Sequence, residues 1–158
     1  MKKLFFVLLL SVFLPIQMFS QNIPGISYIC KMNNIQQIDT NILQFEIWLQ
    51  NFSTDTVRFG GLQMGIKFNM NGIKNGGIMN SIFLPNSASN LLPLNQQTLN
   101  TTIDISNQEF KCASQVAFYN SAFVLSSDSI RIGTFQIVNS VAFTPNSQPN
   151  FSWKFSLP

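Results

Sequence analysis

Side chains able to do covalent chemistry are scarce in this sequence of 158 residues, and their types narrow what it can catalyse. There is no histidine, so neither a Ser-His-Asp nor a Cys-His nucleophile can be assembled, and no imidazole metal site exists. The two cysteines, Cys30 and Cys112, cannot make a four-thiolate zinc site, and a nucleophilic role would need a basic group to lower the thiol pKa. What remains are carboxylates: Asp39, Glu46, Asp55, Asp104, Glu109 and Asp128 could supply the paired acids of a glycosidase. Nothing in their spacing brings two of them together. Asp55 and Asp128 precede Thr56-Val57 and Ser129-Ile130, where strands start, and read as turn residues. The expectation is therefore a chain that is not an enzyme and carries no cofactor and no metal.

Binding chemistry is better represented. In Leu43-Gln44-Phe45-Glu46-Ile47-Trp48-Leu49-Gln50 the odd positions are apolar and the even ones polar except Trp48. That alternation is the mark of a half-buried strand, and it sets Trp48 on the polar face. Trp48 there offers a flat platform on which a sugar ring could stack; the competing reading is cover by a neighbouring loop. Asn69 and Tyr119 are weaker members of the same candidate site.

The elements that must position these residues have a period of two. Alternation recurs over Leu62–Asn69 and Phe151–Leu157, with fainter strand signals over 26–32, 98–105, 110–119 and 130–138. Turn-forming clusters separate them, among them Asn51 to Asp55, Asn71-Gly72, Asn75-Gly76-Gly77, Ser126 to Asp128 and Pro145 to Ser147. No segment carries a sustained helical stripe. Seven or more short strands with turn punctuation predict an all-β, antiparallel two-sheet sandwich of the immunoglobulin-like or cohesin-like kind, in one domain. Residues 70–97 are rich in Asn, Gly, Ser and Pro and too long for a structureless connection, so they should hide a short strand or a packed loop.

Strand parity also reads the cysteines. Tyr28, Cys30 and Met32 share one face, as do Phe110, Cys112, Val116 and Phe118, so both thiols point into an apolar interior. Two states fit: a pair of buried thiols acting as small hydrophobes, or a disulfide closing a long loop. On the chain-entropy account the disulfide would be worth about 4 to 5 kcal/mol before strain.

The first twenty residues are read separately. Lys2 and Lys3 precede an apolar run from Leu4 to Leu14, and small Ser20 stands before Gln21. That is the pattern of a secretory signal peptide over residues 1–20, and its apolar run is about half the ~20 residues that a membrane-crossing helix requires. Residues 21–158 then form the sandwich module, secreted or at the cell surface, with no transmembrane anchor after cleavage. Without the leader, seven basic residues face six acidic ones, and the basic residues are scattered singly. Such a surface has no patch to neutralise phosphates, which argues against nucleic acid. Its polarity comes from 18 Asn and 12 Gln. An amide-rich surface suits sugars or a neutral protein partner, and AT-biased codon usage would produce the same composition.

Phe45-Glu46-Ile47-Trp48-Leu49, Gly60 to Asn69, Gly76-Gly77, Arg131 to Ser140 and Pro149 to Trp153 together resemble an N-terminal module of secreted Bacteroidetes proteins. Those proteins resemble cargo of the type IX secretion system, and the module is similar to the cohesin and carbohydrate-binding-module sandwiches. The resemblance implies export, a β-sandwich and recognition of polysaccharide or a cell-surface protein. Asp55-Thr56-Val57 and Asp128-Ser129-Ile130 likewise resemble the tripeptide that some Bacteroidetes O-glycosylate on the hydroxyl of residues such as Thr56 and Ser129. Such cargo ends in a sorting domain. The chain stops at Pro158 directly after an apolar strand, which fits the front of a longer polypeptide. The functional expectation is a non-catalytic binding or scaffold module; the alternative is a structural spacer that positions downstream domains.

Overall fold

A computed structural model describes residues 19–20, 28–52, 56–115, 123–125 and 128–154. The all-β reading holds: two antiparallel sheets pack face to face as a sandwich. The first sheet has five strands in the order β1 (Phe19–Ser20), β2 (Tyr28–Asp39), β3 (Ile42–Asn51), β10 (Ile130–Asn139) and β6 (Met79–Phe83). The second has four, ordered β11 (Ser152–Lys154), β5 (Gln63–Lys67), β8 (Glu109–Ser114) and β7 (Leu99–Asp104). A separate two-stranded ladder joins β4 (Val57–Phe59) to β9 (Phe123–Leu125).

The strand over 43–50 is the centre of the first sheet. Its burial alternates without a break from Ile42 to Asn51, with Leu43, Phe45, Ile47 and Leu49 inside and Gln44, Glu46, Trp48 and Gln50 half-exposed. Phe45 pairs with Phe135 on β10, and their rings stack 5.7 Å apart. Phe110 of β8 enters from the opposite sheet, edge-on to Phe45 at 5.3 Å and to Phe135 at 5.4 Å. Three phenylalanines thus join the two sheets through edge-to-face contacts favoured by the ring quadrupole. Trp153 is half-buried and packs against the core.

Several boundaries differ from the expectation. β2 runs on to Asp39 rather than ending at Met32, through two irregularities in its pairing with β3. Its far half is mostly exposed, so no alternation in hydrophobicity marks it. β5 stops at Lys67, because Asn69 turns the chain into the one-turn helix α1 (Met70–Ile73) by accepting a hydrogen bond from Gly72 N at 3.1 Å. Asn71-Gly72, expected as a turn, therefore lies in that helix. The long 70–97 stretch contains α1, strand β6 and a short 3-10 turn at Leu94–Gln96. Between β6 and that turn the chain lies along β10, with Leu84 N donating to Thr134 O and Ser89 N to Arg131 O, so it is a packed loop. Residues 26–27, 116–119 and 155–157 of three expected strands, residues 53–55 and 126–127 of two expected turns, Asp55 among them, and all but the last two residues of the leader lie outside the described residues.

Candidate functional site

Parity sets Trp48 outward on β3, and register decides its neighbours. It stands between Lys31 on β2 and Arg131 on β10. Glu46, two residues earlier on the same face, is the hub of the cluster. Its Oε2 accepts from Trp48 Nε1 at 2.8 Å and from Asn34 Nδ2 at 2.7 Å, while Arg131 Nη1 lies 3.2 Å from Oε1. The Arg131 guanidinium also sits 6.0 Å from the Trp48 ring centroid, at the outer edge of cation–π range. Gln50 extends the row, accepting from Lys31 Nζ at 3.2 Å and from Ser129 Oγ at 3.0 Å. Beyond Glu46, Gln136 Nε2 donates to Gln44 Oε1 at 2.9 Å.

The indole is thus fixed by its N–H and flanked by a guanidinium, so its orientation is set before any ligand arrives. A fixed aromatic ring with amide, carboxylate and cationic groups around it can stack on an apolar ring face while hydrogen-bonding the surrounding hydroxyls. Its near neighbour among the described residues is Arg131 from the adjacent strand.

Of the other candidate residues, Asn69 lies elsewhere in the fold. Asn69 caps α1, and its Nδ2 donates to Gln148 O at 3.3 Å, a structural role in a turn. Tyr119 lies outside the described residues. Thr56 and Ser129 are exposed, and the Ser129 hydroxyl is engaged with Gln50. Cys30 and Cys112 are free thiols, both packed in or against the core as parity required. Sequence reasoning placed Glu46 on the polar side of its strand but missed its partners, Arg131 and Asn34. Asn34 stood on a stretch with no strand signal, and Arg131 becomes a neighbour only through the β3–β10 register.

A second polar surface lies on the outer face of the four-stranded sheet. It is a groove of about 520 Å³ lined by Gln63, Gly65, Asn100, Thr102, Lys111 and Lys154 among others, with no aromatic side chain. Here the fold pairs two carboxylates that spacing had not connected, Asp104 on β7 opposite Glu109 on β8. Each is taken by a lysine: Lys111 Nζ is 2.6 Å from Asp104 Oδ2, and Lys154 Nζ is 2.9 Å from Glu109 Oε2. Lys111 and Asn107 hold the Asp104 carboxyl well below the usual carboxylate range, the reverse of the raised pKa that a general acid needs. Glu109 is almost completely buried, its carboxylate lying over Gly65.

No group of three metal-ligating side chains occurs among the described residues. None of their helices is long and apolar enough to cross a membrane. No family model, no curated protein and no solved structure matches the chain.

Proposed function

We propose that this chain is a non-catalytic binding module that recognises carbohydrate on the outer face of its five-stranded sheet, with Trp48 as the stacking platform. The observation that carries the reading is the indole held by Glu46 and flanked by Arg131 on a face that also carries Lys31 and several amides. Ring stacking supplies the affinity in such a site, and Asn34, Gln44, Gln50 and Gln136 offer the hydroxyl partners. The near balance of charge after leader removal suits a neutral ligand. The same reading makes the protein secreted or surface-exposed, exported by the leader over 1–20. A cell-surface protein in place of a glycan would use the same face. The alternative, a structural spacer for downstream domains, has no side-chain constellation in its favour.

A glycan array probed with the secreted chain, followed by calorimetry on the best ligand, tests this. Reproducible binding is expected, with Trp48→Ala weakening it at least tenfold. Unchanged affinity in Trp48→Ala removes the site from this face, and silence across the array favours the spacer.

A further inference from the structure

Three lysines that stand singly in the sequence, Lys67, Lys111 and Lys154, come together on the outer face of the four-stranded sheet. Strand register lays this face out in rows. Lys154, Gly65, Lys111 and Thr102 stand side by side across β11, β5, β8 and β7. Gln63, Ala113 and Asn100 form the row on one side, and Lys67, Glu109 and Asp104 the row on the other. Gly65 and Ala113 leave the middle of the sheet low, and the longer side chains around them wall the groove of about 520 Å³. That volume falls within the range of about 300 to 1,000 Å³ usual for ligand sites.

Two features of the walls point to a ligand. The side chains of Gln63, Asn100 and Thr102 are exposed and hydrogen-bond to no other described residue. On the Trp48 face, by contrast, Gln44 and Gln136 bond to each other, and Gln50 accepts from Lys31 and Ser129. The charges are also layered. The Lys111 side chain is 44% exposed against 22% for Asp104, and that of Lys154 38% against 3% for Glu109. Lys67 is exposed and has no ion-pair partner among the described residues. The ammonium groups therefore stand outside the carboxylates, and a lysine that gives one N–H to its partner keeps two more to donate. Such a surface draws anions, while the unoccupied amides and hydroxyl suit a ligand with hydroxyls of its own.

We propose that this groove is a second glycan site, one that takes an acidic polysaccharide whose sugar rings carry carboxylates. Lys111 and Lys154 donate to the carboxylates, and Gln63, Asn100 and Thr102 meet the ring hydroxyls. Lys67 adds attraction from the next row. Glu109 touches no ligand; it lies in the packing over Gly65 and holds Lys154 in place. An acidic peptide suits the groove less, because no aromatic side chain lines it to anchor apolar residues. The site lies on the opposite sheet from Trp48, so it stands or falls apart from the reading of that face.

Calorimetric titration of the chain with oligomers of galacturonate, glucuronate and mannuronate tests the proposal, with each oligomer repeated as its methyl ester. Esterification keeps the hydroxyls and removes the charge. At least one acid oligomer is expected to bind, its ester at least tenfold more weakly. Raising the salt from about 0.01 M to about 1 M shortens the screening length from about 30 Å to about 3 Å, and affinity should fall at least tenfold. Thr102→Glu sets a negative charge in the groove and should weaken binding at least tenfold. Asn100→Ala, a truncation at an exposed position, should weaken it at least threefold and keeps the test decisive if Thr102→Glu does not fold. Trp48→Ala should bind the acid oligomer as wild type does. Silence with all three acids, equal affinity for acid and ester, or wild-type affinity in Asn100→Ala overturns the proposal. Loss of binding in Trp48→Ala assigns the ligand to the five-stranded sheet and overturns it too, and equally tight binding of oligoglutamate overturns the choice of a glycan.

Discussion

The two outer faces of this sandwich each grip carboxylates with cations, yet they use them for different ends. On the five-stranded sheet Glu46 is half-exposed and spends its oxygens on an indole, an amide and a guanidinium. On the four-stranded sheet Glu109 is almost wholly buried beneath the surface groups, laid over a glycine and closed by Lys154. The first arrangement orients an aromatic ring toward solvent. The second fills a hollow in the sheet itself. A carboxylate marks a binding surface only where it presents other groups, and where it is sealed by its own counter-ion it is part of the packing.

The largest expected difference between the faces lies at Gly65. A Cβ added there would meet Glu109 Oε1 at 1.8 Å and Cδ at 2.9 Å. Gly65→Ala must push the carboxylate away from Lys154 or part β5 from β8, at a cost of about 1 to 3 kcal/mol. Glycine inside a strand is otherwise a weak choice, and alanine there is worth about 0.5 to 1 kcal/mol. In a Glu109→Ala background the same substitution should therefore become neutral or stabilising. Denaturant unfolding of the double-mutant cycle measures the sign reversal; additive losses would show that the glycine serves the backbone and not the carboxylate. On the other face Gln44→Ala should stay within about 0.5 kcal/mol of wild type.

That asymmetry explains what could be read before the fold was known. β3 was legible because one face is buried and the other wet, so hydrophobicity alternates from Leu43 to Gln50 and sets Trp48 outward. Residues 33–39 of β2 were not, because that end is mostly exposed and its amides carry no strand signal. The ladder of β4 and β9 is only three residues long on each side, too short for a period to show. The inward parity of Cys30 and Cys112 was readable from each strand alone. The contact of Glu46 with Arg131 was not, since it depends on pairing across 85 positions, and an irregularity between Arg131 and Gly133 resets which side chains share a face. Spacing could name Glu109 as a carboxylate but could not show the hollow over Gly65 that buries it.

Glu46→Gln sharpens the comparison from the other side. The amide keeps an acceptor for the Trp48 N–H while removing the charge opposite Arg131, a pair separated by 3.2 Å and partly open to water. The expected stability loss is below about 1 kcal/mol, with the denaturant slope unchanged. A loss above about 2 kcal/mol would make this face as structural as the Gly65 hollow and end the contrast. In the carbohydrate-binding reading, affinity should fall more in Trp48→Ala than in Glu46→Gln, because the charge positions the ring without supplying its stacking surface.

The smallest effect belongs to Asp104, at the tip of the β7–β8 hairpin. Its carboxylate takes hydrogen bonds first from Lys111 and then from the Asn107 side chain and backbone, and these hold its pKa below the usual value near 3.9. The unfolded chain therefore takes up this proton at a higher pH than the folded one. The resulting stability is present above about pH 4 and drains away as pH falls toward the folded value. Lys111 contributes in the opposite direction, because Asp104 raises its pKa; its share is present below about pH 10.4 and is lost as pH rises through the higher folded value. The difference between wild type and Asp104→Asn in pH-dependent unfolding isolates these terms from the other acids. It should be nearly flat from about pH 5 to 9 and shrink at both ends, and added salt should diminish it throughout because the pair lies at the surface. A difference that stays constant down to the acid limb would mean that the folded protein does not favour the charged form of Asp104, through either Lys111 or Asn107, and would overturn this account of the hairpin.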